Sequence, residues 1–408
     1  MSARRLPCDL IVVGAGVTGC AIARDAALRG LSVTVLEQGT LGSGTSGRFH
    51  GMNQSGARYV TTDVEYAGQC MRERRIFGRI APHAMVDTGG LFVQLPEDPL
   101  EFGDEFERAC AEADIPCRPL SAQEVADREP GLVPVVGGYE VPDAVFRPWA
   151  VLTALAEDAV ANGAELRLRE RVTRVDSDGE RCDVTVQSAN GGTEQLRARS
   201  VALAAGPWTT ALAPEGGQTA PMQLAKGSML VIPERLVTAV VNRCRPPGSF
   251  DIMVPFGAAT IFGTTSRDVD SPDAIRVDAD EESELLAGAG ELAADLPSEW
   301  SQTASLYAGV RPLAITAPGA DGAVSRRHLI VEDQRRPILT VAGGSFTTHR
   351  AMAEDAVDRI CRLLGIDALC TTATAVLPPA RGRFEWSDQA ALQPVVMGAS
   401  ENLVAWGS

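Results

Sequence analysis

Residues 8–19 read Cys8-Asp-Leu-Ile-Val-Val-Gly-Ala-Gly-Val-Thr-Gly19, and this stretch decides the fold. The apolar run 8–13 predicts a buried strand, and the alanine-rich run 20–29 predicts a helix that ends at Gly30. A second apolar run, 31–36, predicts another strand and is followed by Glu37. A strand, a glycine turn, a helix, a strand and an acid within about 30 residues have the spacing of a Rossmann dinucleotide-binding unit.

Each glycine of this unit has a separate physical role. Gly14 permits the tight turn, Gly16 lets a pyrophosphate approach the backbone, and Gly19 brings the helix against the strand. The free N–H groups at the start of the helix then face the phosphates. Glu37 can accept hydrogen bonds from an adenosine ribose, which favours FAD or NAD over NADP, because a 2′-phosphate would be repelled.

Three later segments favour FAD over NAD. The loop 42–48 is small and polar and can line an extended diphosphate, and the strand at 201–206 ends in Gly206. The strand at 338–342 is followed by Gly343-Gly344, which we expect to open a helix that ends at Gly365. Such a helix start would stabilise the negative charge of a reduced flavin.

Composition limits the partners. The chain has 408 residues, 37 basic and 53 acidic, with a net charge of −16, which opposes nucleic acid as a partner. Neither an apolar run long enough to span a membrane nor a signal peptide is visible, so a cytoplasmic location is expected. The nine cysteines are scattered without a Cys-x-x-Cys pair, so neither a metal site nor an iron–sulfur cluster is expected.

The segments 47–51 (Gly-Arg-Phe-His-Gly) and 55–59 (Ser-Gly-Ala-Arg-Tyr) resemble the FAD-dependent glycerol-3-phosphate dehydrogenases, especially the large subunit of the anaerobic enzyme. The resemblance covers roughly residues 8–378. Further similar blocks lie at 88–92, 141–143, 225–228, 242–245, 263–266, 309–313, 324–326 and 343–344.

The resemblance implies an α/β protein in which a Rossmann-like FAD-binding domain carries an inserted α+β substrate domain built on a mixed sheet. We expect the FAD-binding domain at 1–80, 146–215 and 335–378, the substrate domain at 81–145 and 216–334, and a tail at 379–408. The sequence pattern predicts a helix over about 147–162 and strands at 166–175, 183–187, 201–206, 228–232, 252–254 and 260–263.

The sequence departs from the family at three positions near the expected active site. It has Gln54 where the family has a histidine, Ser345 where the family has a lysine, and His349 where the family has a tyrosine. It also lacks the cysteine-rich extension of the anaerobic large subunit. Loss of the lysine charge should weaken a charge-assisted contact with a dianionic phosphate by about 1.5–3 kcal/mol. We therefore expect the substrate to be glycerol 3-phosphate or a related phosphate, phosphonate or hydroxy compound.

The candidate site residues fall into three groups. Arg58, Arg311 and Arg326 suit the anchoring of a small anion, with Tyr59 and Ser345 beside them. His50, His349 and Gln54 are the candidates for handling the hydroxyl proton. Contacts to FAD are expected from Gly14, Gly16, Val17, Thr18, Gly19, Glu37, Gln38, Thr45, Ser46, Arg48, His50, Gly51, Val172, Ala205, Gly206, Gly344, Ser345, Phe346 and Thr347.

The reaction expected from these residues is oxidation of a secondary alcohol to a ketone, with hydride transfer to the flavin. Two alternatives stay open: oxidation of an amine, and a non-catalytic FAD-binding accessory subunit. The electron acceptor is open among oxygen, a quinone and a partner protein. The sequence also leaves open a homodimer, a peripheral membrane contact and a covalent FAD linkage, with noncovalent FAD as the default.

Overall fold

A computed structural model describes residues 8–214, 216–248, 251–294, 296, 303–315 and 324–384. The predicted tail lies outside these residues beyond position 384. The described α-helices are α1 (Val17–Leu28), α2 (Val64–Ile80), α3 (Glu101–Glu112), α4 (Ala122–Arg128), α5 (Pro148–Ala161), α6 (Ala279–Leu292) and α7 (His349–Leu364). None of these helices combines the length and hydropathy that a membrane span requires.

An eight-stranded sheet forms the nucleotide-binding part of the molecule. Its central strand, Cys8–Val13, lies parallel to Val33–Glu37 on one side and to Thr193–Leu203 on the other. Helices α1, α5 and α7 pack together on one face, where their apolar side chains form the main core. The other strands are Glu165–Leu168, Glu170–Ser177, Cys182–Ser188, His328–Glu332 and Ile338–Gly343.

A ten-stranded mixed sheet forms the second part. Its pairs are antiparallel except that Gly90–Gln94 and Val240–Arg243 run parallel. Helix α6 covers one part of it through Leu285, Ala289 and Leu292, and α3 covers another through Phe102 and Phe106. The remaining strands are Arg118–Ser121, Gly137–Val141, Met222–Ile232, Ile252–Phe256, Ala259–Gly263, Arg267–Asp268, Ser305–Ile315 and Val324–Ser325.

A small three-stranded sheet and four short 3₁₀ helices complete the described elements. The small sheet joins the segment after the glycine-rich loop to the start of α5. Its strands are Met52–Asn53, Met85–Val86 and Ala144–Phe146, and the 3₁₀ helices are Thr45–Gly47, Ala57–Tyr59, Pro82–Ala84 and Gly206–Leu212.

Four expectations about the elements need correction. Helix α1 begins at Val17, three residues before the predicted start, so that Gly19 lies in its first turn. The strand predicted at 166–175 is two strands, since Arg169 between them adopts φ +58°. Strand His328–Glu332 falls within the range expected for the substrate domain, but it pairs antiparallel with Ile338–Gly343 in the nucleotide-binding sheet.

The fourth correction concerns the Gly343-Gly344 pair. Both residues adopt positive φ values, +70° and +75°, which an α-helix does not contain. The chain therefore turns through residues 345–348 before α7 begins at His349. The helix does end at Gly365, as predicted, and this residue adopts the left-handed conformation.

Candidate active site

The glycine turn after the first strand is packed so closely that no side chain fits. Gly14 adopts φ +106°, and a Cβ atom there would lie 2.7 Å from the carbonyl oxygen of Ala204. A Cβ atom on Gly19 would lie 1.9 Å from the carbonyl oxygen of Gly14. Helix α1 therefore starts close against the strand, with Gly16 as its N-cap, and the N–H of Val17 donates a 3.0 Å hydrogen bond to the hydroxyl oxygen of Ser46. This start faces an elongated cavity.

The elongated cavity has a volume of about 220 Å³. We call it the cofactor cavity, because it runs from the start of α1 to the turn before α7, as a dinucleotide would. The predicted cofactor residues on its wall are Gly16, Val17, Thr18, Thr45, Ser46, His50, Ala205, Gly206, Gly344, Ser345, Phe346 and Thr347. Glycine backbone, hydroxyl groups and a helix N-terminus on one wall fit the diphosphate of FAD.

The structure places other predicted cofactor residues off this wall. Glu37 supports the turn, because its carboxylate accepts hydrogen bonds from the N–H groups of Ala15 and Gly39, each 2.8 Å long. Gly14 and Gly19 shape the backbone, and Gly51 packs against Phe256. Two further predicted residues are not on this wall: the side chain of Gln38 is exposed to solvent, and Val172 is buried in the core of the nucleotide-binding sheet, so their contacts with FAD stay predictions.

Aromatic residues that the sequence reasoning missed also line the cofactor cavity. Trp208 closes one end and donates a 3.2 Å hydrogen bond from Nε1 to Asp273. Phe49 stacks on Phe346 with ring centroids 4.4 Å apart and planes 15° from parallel. Trp208 follows Gly206 by two residues, so its nearness to the cofactor could have been inferred from the chain. The Phe49–Phe346 stack joins residues 297 positions apart, so no local pattern in the sequence could predict it.

A second cavity of about 510 Å³ shares a wall with the cofactor cavity, and we call it the arginine cavity. The residues common to both cavities are Thr45, Phe49, His50, Met52, Gln54, Tyr59, Arg311 and Arg326. Arg48 and Arg58 line only the arginine cavity. Among the described residues that line either cavity, none is Asp or Glu. The wall is therefore strongly cationic.

The three predicted anchor arginines meet here and differ in their pairing. Arg58 donates a 2.6 Å hydrogen bond to the carbonyl oxygen of Gly248 and a 3.3 Å bond to Asp251. Arg311 donates a 2.8 Å bond to the carbonyl oxygen of Thr265, and burial together with the charge of Arg326 lowers its pKa to about 10. Arg326 has no hydrogen-bond or ion-pair partner within the described part of the chain. An anion would relieve the repulsion among these charges.

His50 lies on the wall common to both cavities. Its Nδ1 atom accepts a 3.2 Å hydrogen bond from the backbone N–H of Met52, so the neutral ring carries its proton on Nε2. Burial, reinforced by Arg58, Arg311 and Arg326, lowers the pKa of His50 to about 3. In this tautomer His50 can donate from Nε2 but cannot take up a proton there, so its geometry favours a donor over a general base.

Gln54, Tyr59 and Ser345 also line the cofactor cavity. The backbone N–H of Gln54 donates to the Thr347 hydroxyl over 3.2 Å, and its side-chain Nε2 lies 3.8 Å from the sulfur of Cys70. Ser345 is held by a 3.2 Å bond from its N–H to the hydroxyl of Thr348. An amide does not accept a proton near neutral pH, so Gln54 can orient a ligand but cannot be a base.

The catalytic expectation for His349 needs correction. Its side chain is buried away from both cavities, in a small interior space beside Ala21, Phe77 and Leu155. Its Nδ1 atom lies 2.7 Å from the carbonyl oxygen of Phe346, and burial lowers its pKa to about 4. Because α7 begins at this residue, its first turn directs the ring toward the core rather than toward a ligand.

The arrangement defines a class of protein. A Rossmann unit whose helix N-terminus opens onto a cavity that continues into an arginine-lined space is typical of an oxidoreductase that binds a dinucleotide cofactor beside an anionic substrate. The family model described as FAD dependent oxidoreductase matches residues 9–359. The chain belongs to this family, and FAD is its cofactor.

Relatives and solved structures agree with this assignment. The chain is 39% identical over 380 residues to one subunit of the anaerobic glycerol-3-phosphate dehydrogenase of Escherichia coli strain K12, covering 91% of this chain and 70% of the relative. It is 36% identical over 390 residues to a subunit of the anaerobic enzyme of Haloferax volcanii, covering 91% and 66%. The Bacillus halodurans glycerol-3-phosphate dehydrogenase, solved with FAD, shares the fold with a TM-score of 0.70 at 22% identity, covering 99% of this chain and 73% of that one.

Proposed function

We propose that this protein oxidises the secondary alcohol of glycerol 3-phosphate, or of a related phosphate, phosphonate or hydroxy anion, to a ketone. The observation that carries the proposal is the convergence of Arg58, Arg311 and Arg326 on a cavity that adjoins the cofactor cavity. Guanidinium groups bind phosphate through two parallel hydrogen bonds. The relatives named as glycerol-3-phosphate dehydrogenases support the same substrate.

The protein residues would divide the remaining work. FAD, when bound, supplies the acceptor for the hydride that leaves the carbinol carbon. Arg311 and Arg326 hold the anionic end, and Arg326, which has no hydrogen-bond or ion-pair partner among the described residues, can form two parallel bonds to it. His50 presents its Nε2–H to an oxygen of the substrate, and the positive wall stabilises the negative charge that develops on this oxygen as its proton passes to solvent water.

The charge of the arginine cavity opposes the amine alternative. A protonated amine is attracted by a carboxylate or an aromatic box, whereas the arginine cavity presents four arginines and the described lining contains no carboxylate. Amino acids and small amines are therefore useful negative controls.

We further propose an electron acceptor other than oxygen, either a quinone or a partner protein. The relatives are named as subunits of an anaerobic dehydrogenase, which supports this choice. Substrate-reduced protein should then reoxidise slowly in air and quickly with a soluble quinone or an artificial acceptor. Fast reoxidation by air with stoichiometric hydrogen peroxide would contradict it.

The principal experiment follows the flavin absorbance of purified protein without oxygen during titration with glycerol 3-phosphate, then with phosphonate and hydroxy-acid analogues. Bleaching at low concentrations of glycerol 3-phosphate would mean that Gln54 and Ser345 are compatible with that substrate. Bleaching by an analogue alone would assign a related substrate. A yellow protein that no compound bleaches would reject the proposal and favour an accessory role without catalysis.

A further inference from the structure

One face of helix α2 is buried along its whole length. Tyr66, Cys70, Glu73 and Phe77 recur at helical spacing, and none is more than 5% exposed. The C-terminal half of this face is fixed to α7, because Glu73 forms an ion pair with Arg350 and the ring of Phe77 packs on His349 at 5.7 Å. The N-terminal half, Tyr66 and Cys70, is thereby held behind the turn that precedes α7.

Tyr66 ends this face directly behind the wall of the cofactor cavity. Its ring meets the ring of Tyr59 edge-on, with centroids 5.4 Å apart, and Tyr59 lines both cavities. Its hydroxyl lies near the hydroxyl of Ser345 and the thiol of Cys70, and Cys70 in turn contacts the side chain of Gln54. Tyr66 thus lies behind two wall residues, Tyr59 and Ser345, and reaches a third, Gln54, only through Cys70; all three wall residues are uncharged.

The hydroxyl of Tyr66 is buried, since the residue is 1% exposed, yet it forms no hydrogen bond of normal geometry with a described residue. A buried hydroxyl without a partner costs free energy, and a phenylalanine would fill the same space without that cost. Burial also raises the pKa of Tyr66, so the group stays protonated and can only offer its hydrogen to a nearby oxygen. On the cavity wall, the hydroxyl of Ser345 is the group that lies near it.

We propose that Tyr66 is a positioning residue that acts through Ser345. When substrate binds, the Tyr66 hydroxyl donates to Oγ of Ser345, and Ser345 donates its own hydrogen to an uncharged oxygen of the substrate. Donor chains of this kind strengthen each other because each bond polarises the next. The arginines then hold the anionic end, and the Tyr66–Ser345 pair selects substrates that carry a hydroxyl or carbonyl oxygen at the other end. This inference rests on the proposed function.

The test pairs two substrates with two variants. Tyr66→Phe removes only the hydroxyl, and Ser345→Ala removes the group through which it acts. Glycerol 3-phosphate has the uncharged primary hydroxyl, whereas 2-hydroxypropyl phosphate keeps the secondary alcohol and the phosphate but lacks it. We expect each variant to lower kcat/KM for glycerol 3-phosphate by about three- to tenfold. Each variant should therefore lower the ratio of kcat/KM for glycerol 3-phosphate to kcat/KM for 2-hydroxypropyl phosphate by about three- to tenfold, and the double variant should lower this ratio no more than Ser345→Ala alone.

Thermal stability gives a second readout that does not depend on turnover. Tyr66→Phe should melt at or above the wild-type temperature without ligand, but the product dihydroxyacetone phosphate should stabilise it less than it stabilises the wild type. Tyr139→Phe is the matched control, since Tyr139 is buried in the core next to α3 and lines neither cavity. It should behave like the wild type in both assays.

Different outcomes would reject this inference and the proposed function on which it rests. Wild-type protein that neither phosphate reduces rejects the proposed function. Turnover by the wild type with unchanged kinetics in Tyr66→Phe rejects the inference alone. Equal losses for both phosphates also reject it, because the effect would then be general. If Tyr66→Phe loses its flavin, Ser345→Ala, whose side chain lies on the cavity wall, decides by the same substrate comparison.

Discussion

The carboxylate of Glu73 in α2 accepts two hydrogen bonds from the guanidinium of Arg350 in α7, one from Nε and one from Nη2, each 2.7 Å long. Both side chains are at least nine-tenths buried. The ion pair connects α2, which lies behind the cavity wall, to α7, which follows the Gly343-Gly344 turn. It therefore couples the stability of the fold to the shape of the cofactor cavity.

We expect Glu73→Ala to be strongly destabilising. It leaves the Arg350 charge buried with only Glu354 and Thr372 as partners, and breaking a buried pair costs about 3–5 kcal/mol. Glu354→Ala is the control, because it removes a partly exposed contact to the same arginine and should cost about 0–1 kcal/mol. Denaturant unfolding measures both, and equal losses would contradict the central role of Glu73.

Arg326→Gln should weaken substrate use more than it weakens the protein. The side chain has no hydrogen-bond or ion-pair partner among the described residues, so its removal breaks no such contact there, while a charge-assisted bond to the anion contributes about 1.5–3 kcal/mol. This predicts a fall of roughly 10- to 150-fold in kcat/KM, with flavin content unchanged. Arg335→Gln, at an exposed position, should leave kinetics unaltered, and an equal loss there would refute a specific anchor.

Gly19→Ala should abolish tight FAD binding. The added Cβ would overlap the carbonyl oxygen of Gly14 at 1.9 Å, which forces α1 away from the strand. Overpacking of this kind costs about 1–3 kcal/mol, and the displaced helix start faces the cofactor. Gly290→Ala makes the same change in α6, where no atom lies within 4 Å of the new Cβ, and should leave the flavin-to-protein ratio unchanged. Full flavin content in Gly19→Ala would overturn the assignment of the turn.

The pH dependence of stability should contain a contribution from His349. Its pKa of about 4 lies below the ordinary value of 6.5, so between these values the unfolded chain binds a proton that the folded chain does not. Stability should fall as pH decreases through this window, by about 2 kcal/mol at pH 5 relative to pH 7. His349→Asn should lack this loss, which unfolding of both proteins at the two pH values would measure. It should keep nearly wild-type kcat/KM, since His349 lines neither cavity.

The elements with a local sequence signal were predictable. The strand at Cys8–Val13 follows from its apolar run, and Gly14 and Gly19 occupy turns that backbone geometry restricts to glycine. The three arginines were found because they lie within blocks that resemble one family, and the structure brings them to one cavity. In each case the information lies within a short stretch of chain.

The remainder depends on contacts between distant segments. His349 lies five residues after Gly344, but proximity along the chain does not determine which side of α7 its ring occupies. Tyr66 was not selected from the sequence, because a tyrosine on a helix usually packs in the core. Only its position beside Ser345 in the folded protein suggests another role. The strand His328–Glu332 was misassigned because strand patterning does not identify the sheet that a strand joins.

The order of strands in the nucleotide-binding sheet has a consequence for synthesis of the protein. Val201–Leu203 lies between Cys8–Val13 and residues 338–340. The ribosome therefore has to add more than 130 residues after Leu203 before its second neighbouring strand exists. A nascent chain that pauses earlier presents an open hydrophobic sheet edge, which is prone to aggregation. Pairing across such long sequence separations is also slow. The polypeptide should therefore acquire its flavin only after residues 338–340 have been translated, and it should depend on chaperones until then.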